Sequence, residues 1–128
     1  MTTTFLLNDF YTIESTESVE LKITAIVLLN NEHPIFKGHF EQMPVVPGVC
    51  QTQMIKEIIQ LTLKQNLTLI KGDNIKFMSM IIPSQNPKIQ IEINYKQTDN
   101  TIIVDARLFH ENTIFTKFKG NFTTANFL

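Results

Sequence analysis

Only one stretch of this chain carries a long helical pattern, and that limits the folds open to it. Over residues 49–65, Met54, Ile55, Ile58, Ile59 and Leu61 recur at steps of three and four and form one broad apolar face. Gln53, Glu57, Gln60 and Lys64 line up as a polar stripe on the other side. Nearly all the rest alternates with period two. One helix of about 16 residues cannot cover both faces of a sheet that wide, so the sheet is expected to curl around it. The uncovered face, or an edge, is then expected to meet a second subunit. The chain reads as one α+β domain over residues 1–128.

The strand pattern is plainest where apolar and polar residues alternate. Val19, Leu21, Ile23, Ala25, Val27 and Leu29 share one face, with Glu20, Lys22 and Thr24 opposite. A shorter strand near residues 10–13 precedes them. After the helix, a strand is expected over residues 75–82, ending at Pro83, with Met78 and Met80 as core filling. Ile89, Ile91, Ile93 and Tyr95 alternate next, and residues 97–100 form a turn. Ile102, Val104, Ala106 and Leu108 then alternate with Ile103, Asp105, Arg107 and Phe109. Glu111-Asn112 turns the chain into a closing strand over residues 113–124.

Composition narrows the function. Eleven basic and twelve acidic residues give a net charge of -1, which lacks the basic footprint of a nucleic-acid binder. The first residues have neither a basic region nor a long apolar run, so no signal peptide is expected, and no apolar run reaches the ~18 residues of a membrane span. Cys50 is the one cysteine, which fits a cytoplasmic location and excludes an intrachain disulfide.

The chemistry is expected just before the helix. Residues 33–49 hold three of the five prolines, two of the four glycines and two of the three histidines. His39 sits among residues that fix backbone geometry, and Pro47-Gly48 suits a helix start. A titratable imidazole and unpaired N-terminal amides therefore share one neighbourhood.

Gly38-His39-Phe40, three further residues, Pro44, two apolar residues and Pro47-Gly48-Val49 resemble the motif of the 3-hydroxyacyl-ACP dehydratases, enzymes of the hot-dog fold in fatty acid synthesis. Asp73 to Phe77, then Ile82-Pro83, is similar to the family's strand that ends in an apolar-proline step. The resemblance implies an antiparallel sheet wrapped around one central helix. It implies dimers joined edge to edge (a homodimer, a higher even oligomer or a heterodimer with an active relative), with sites at the subunit interface. It implies a substrate carried on the phosphopantetheine of acyl carrier protein or coenzyme A, with no metal or tightly bound cofactor.

Dehydration of a 3-hydroxyacyl thioester needs a base for the C2 proton, an acid for the departing hydroxyl and donors for the charge developing on the thioester oxygen. On the resemblance, His39 is the base and the Gly48 and Val49 amides are the donors, with Phe40, Pro44 and Pro47 against the substrate. The family's helix carboxylate falls at position 53, where this chain has Gln53; Glu57 stands four residues on, where the family often has glutamine. Glutamine cannot ionise. Three readings follow: Glu57 takes over as acid, the chain is an impaired subunit that binds acyl thioester or pairs with an active relative, or the scaffold is a thioesterase using Glu41 or Glu57 as base. The blander reading makes Gln53 and Glu57 part of a solvated stripe. His33, held extended by Pro34, reads as structural, and His110 as an exposed turn residue. Two loop histidines without a third ligand do not make a zinc site. Cys50 reads as a small buried residue rather than a nucleophile.

Overall fold

The computed structural model describes residues 6–36 and 45–124. Strands β1 (Tyr11–Val19) and β2 (Lys22–Leu29) precede a single 3-10 turn, Pro34–Phe36, and the helix α1 (Gly48–Leu63). Strands β3 (Thr68–Phe77), β4 (Lys88–Thr98), β5 (Thr101–His110) and β6 (Thr113–Thr123) follow. All pair antiparallel in one sheet of order β1-β2-β4-β5-β6-β3. The helix interrupts the meander, so β3 lies at the far edge beside β6 while β2 pairs β4. This is the hot-dog architecture.

The alternation of the central strands builds the core. Ile23, Ala25 and Val27 of β2 stand opposite Ile93, Ile91 and Ile89 of β4, and Ile91 and Ile93 stand opposite Leu108 and Ala106 of β5. All eight are buried. From the helix, Met54, Ile55, Ile58 and Ile59 close onto this face, together with Phe115, Phe118 and Phe122. The apolar face expected of β4 is thus buried from Ile89 to Ile93, and of the two alternating sets of β5 the one with Ile102, Val104, Ala106 and Leu108 faces inward.

Several expectations are corrected. The strand expected from residue 19 is broken by a hairpin at Glu20-Leu21, where Glu20 takes φ 54°. Val19 and Leu21 are consequently exposed. The short strand near residues 10–13 is the start of a nine-residue strand, β1, irregular between Ile13 and Ser15. The strand expected over 75–82 instead runs from Thr68 to Phe77. Gly72 within it faces Gly120, where a Cβ would lie 2.7 Å from the Lys71 carbonyl oxygen. Beyond Phe77 the amides of Met78 and Ser79 both donate to the Phe115 carbonyl, the chain leaves the ladder, and Met78 and Met80 face outward. On the helix, Leu61 is exposed and Glu57 is buried, reversing both expectations.

Candidate active site

The two ends of the 33–49 segment are firmly held. On the near side, His33 Nδ1 accepts the Ile35 amide at 3.0 Å, so Nε2 carries the proton donated to Asp9 Oδ2 at 2.9 Å. Phe10 packs edge-on to His33 and against Phe36, with centroids 5.3 Å apart in each pair. The structural role expected of His33 matches this geometry. On the far side, the buried Val46 donates its amide to the Ile81 carbonyl at 2.9 Å. His39, Phe40, Glu41 and Pro44 lie outside the described residues.

Pro47 is the N-cap of α1, with φ -61° and ψ 147°, and no side chain caps the helix. Its carbonyl accepts the Cys50 and Gln51 amides. The Gly48 and Val49 amides come too early in the helix to find an intrahelical acceptor. No acidic residue stands in the first turn, so the positive end of the helix dipole is not offset locally. Val49 is 75% exposed. Beside this end lies a groove of about 600 Å³ lined by Pro47, Gly48, Gln51, Phe77, Met78 and Met80. Gly48 leaves room there for the Phe77 ring, whose outer rim would lie 2.6 Å from a Cβ at this position. Gln51 closes the floor: its Nε2 donates to the Val46 carbonyl at 3.2 Å, and its Oε1 accepts the Thr116 hydroxyl. Cys50, in the same turn, is buried, and burial pushes its thiol above the usual range, opposite to what a nucleophile needs.

Two turns along, Glu57 is 2% exposed and accepts four donors. Oε2 takes the Leu6 amide at 2.8 Å and Gln53 Nε2 at 2.7 Å; Oε1 takes the Leu7 amide and the Tyr11 hydroxyl, each at 3.0 Å. A carboxylate has about four acceptor positions, so all are filled. The Tyr11 phenol is driven far above its ordinary range by burial, then by the charge of Glu57 and the bond to it. It stays a donor. Gln53 and Glu57 are therefore not a solvated stripe but one hydrogen-bonded pair. Tyr11, Phe77, Gln51 and the amides of Leu6 and Leu7 were not anticipated. Tyr11 reads as an ordinary strand residue, and main-chain donors leave no mark on sequence.

Residues 14–118 match the ApeI-like family, described as ApeI dehydratase. The chain belongs to that dehydratase family. The chain is 36% identical over 74 residues to the 3-hydroxyacyl-[acyl-carrier-protein] dehydratase FabZ of Streptococcus thermophilus, a match that covers 52% of each protein. It is 27% identical over 86 residues to the bifunctional enzyme LpxC/FabZ of Bacteroides thetaiotaomicron, covering 59% of this chain and 19% of that one. The chain thus spans about half the length of the FabZ relatives it matches. Among solved structures, the dehydratase heterocomplex ApeI:P of Xenorhabdus doucetiae superposes with TM-score 0.69 at 18% identity, covering 87% of this chain and 96% of the other. A hypothetical thioesterase with coenzyme A from Streptococcus pneumoniae gives 0.63 at 11%, covering 91% and 86%. Both of these structural likenesses speak for the fold.

Proposed function

We propose that this ApeI-like chain is a cytoplasmic subunit of dehydratase type that holds a 3-hydroxyacyl thioester, carried on phosphopantetheine, and supplies the base half of the site but not the acid. The observation that carries this reading is the saturation of Glu57. A carboxylate that already accepts the Leu6 and Leu7 amides, Tyr11 and Gln53 has no proton to give a departing hydroxyl. Its neighbour toward the substrate end is an amide. Glu57 thus does not take over the missing acid, and the same saturation argues against its activating water in a thioesterase.

In the mechanism proposed, the Gly48 and Val49 amides and the helix dipole polarise the thioester carbonyl, and His39 removes the C2 proton. Phe40, Pro44, Pro47 and the groove under Phe77 hold the acyl arm. Protonation of the leaving hydroxyl falls to a carboxylate brought by a second chain. In a homodimer both sites face Gln53. In a heterodimer with a relative that keeps the helix glutamate, one site of two is complete. The ApeI:P neighbour, a heterocomplex by its description, accords with such pairing. No metal or bound cofactor enters this scheme.

The test restores the family order on the helix. Purified protein is given a crotonyl thioester, and hydration and thiol release are followed separately. The protein alone is expected to show neither. The double variant Gln53→Glu with Glu57→Gln is expected to gain hydration by about 100-fold or more, the usual contribution of one general acid. Hydration by the unaltered protein that is abolished by Glu57→Gln alone would refute the proposal. Thiol release would point to a thioesterase instead.

A further inference from the structure

The bond between Gln53 and Glu57 fixes more than the position of an amide. It uses one of the two Nε2 hydrogens and turns the carbonyl end of the amide away from Glu57. Gln53 Nε2 lies 2.7 Å from Glu57 Oε2. The reverse orientation would set a carbonyl oxygen against a carboxylate oxygen at that distance, two acceptors with no proton between them. Glu57 cannot swing away, because the Leu6 and Leu7 amides and Tyr11 hold both of its oxygens from the other side. The orientation is thus set by chemistry. Gln53 Oε1 has no protein partner among the described residues. Val49 and Gln53, four residues apart, share a helix face, and Val49 marks it as open.

We propose that Gln53 reads the 3-hydroxyl of the acyl chain as a hydrogen-bond acceptor, its amide turned that way by Glu57. The inference rests on the site placement given under Proposed function and adds the group that is recognised. A hydroxyl can donate to Oε1. A 3-keto group, nearly the same size, offers only lone pairs and meets a lone pair. A saturated chain offers nothing. Accepting a hydrogen bond from the hydroxyl leaves its proton in place: the contact retains the group and does not expel it. Gln53 becomes a specificity residue for the 3-hydroxyacyl state, and Glu57 its positioning residue.

Three S-acyl pantetheines serve as probes in isothermal titration of the unaltered protein: 3-hydroxybutyryl, acetoacetyl and butyryl. The hydroxy compound is expected to bind about 5- to 10-fold more tightly than either of the others, the contribution of one net neutral hydrogen bond. Gln53→Met, similar in length but without the amide, is expected to bind all three alike, at the level the native protein shows for butyryl. Acetoacetyl binding as tightly as 3-hydroxybutyryl would show a donor facing the ligand and overturn the inference. Equal binding of all three by the native protein would overturn it while leaving thioester binding intact. A preference that persists in Gln53→Met would assign the recognition elsewhere. Failure of all three to bind would remove the underlying site placement, and the inference with it.

Discussion

Glu57 is a buried carboxyl group, and among the described residues no lysine, arginine or histidine pairs with it. Its stabilisation comes from four donors, two of them main-chain amides. Charge-assisted bonds of this kind are individually stronger than neutral ones, and losing one leaves a buried group unsatisfied. Glu57→Gln replaces one oxygen with a donor and sets it against donors already there. A loss of about 1–3 kcal/mol in urea unfolding is expected. Tyr11 adds a pH dependence. Burial first, and then the charge of Glu57 and the bond to it, raise its phenol above the ordinary 10.0. The folded protein keeps this proton where the unfolded chain has released it. The associated stability is therefore whole below about pH 10 and declines as pH rises further, by up to about 1.4 kcal/mol per pH unit. Unfolding curves between pH 8 and 11.5 should show this decline in the native protein and a shallower one in Tyr11→Phe. A decline of equal slope in both would show that Tyr11 does not cause it.

At the scale of elements, two glycines make contrasting predictions. A methyl group on Gly120 meets the backbone carbonyl of Lys71, which cannot yield without parting β3 from β6. Gly120→Ala is expected to cost about 1–3 kcal/mol and to speed amide exchange along β3. A methyl on Gly48 meets the outer rim of the exposed Phe77 ring, which can turn away. Gly48→Ala is expected to stay within about 1 kcal/mol of the native stability while weakening acyl-pantetheine binding, since the ring would swing over the groove. The same elements show where sequence was legible. Period-two alternation located β4 and β5 and the buried face of β4, and the three- and four-residue steps located α1 to within two residues at each end. Alternation failed at Val19-Glu20-Leu21 because a two-residue hairpin can carry a period-two pattern through the turn unbroken. It failed at Lys71-Gly72-Asp73 because turn-forming residues there build bulges inside a strand. The helix stripe placed Gln53 and Glu57 correctly in spacing but not in environment. What covers that face is the segment around Leu6, Leu7 and Tyr11, about fifty residues away in sequence and bound largely through backbone.

For the whole molecule, the position of β3 matters most. It ends the sheet with one edge paired to β6, and its entire length is exposed, including Leu69, Ile70, Ile75 and Phe77. An edge strand of this length and apolar content invites pairing with another chain. It also borders the groove at Gly48, so a partner across this edge would approach the helix start. Size-exclusion chromatography with light scattering is expected to give a dimer for the native chain and a monomer for Ile70→Lys, which places a charge on that edge. A native monomer at micromolar concentration would remove the homodimeric arrangement and leave the heterodimer.

The two amides that reach Glu57 have a consequence for variation in this chain. A contact made by peptide N–H groups is indifferent to which side chains residues 6 and 7 carry, except for proline, which has no N–H to offer. Leu6 and Leu7 also pack half-buried against the core, so apolar replacements are expected to keep the two amides in place. Removing the segment is a different matter. It would uncover an acceptor on each oxygen of Glu57 at once and admit water to the flank of Gln53. The segment from Leu6 thus works as an insulating cover over the helix, held by its two amides and by the packing of Leu6 and Leu7 on the core.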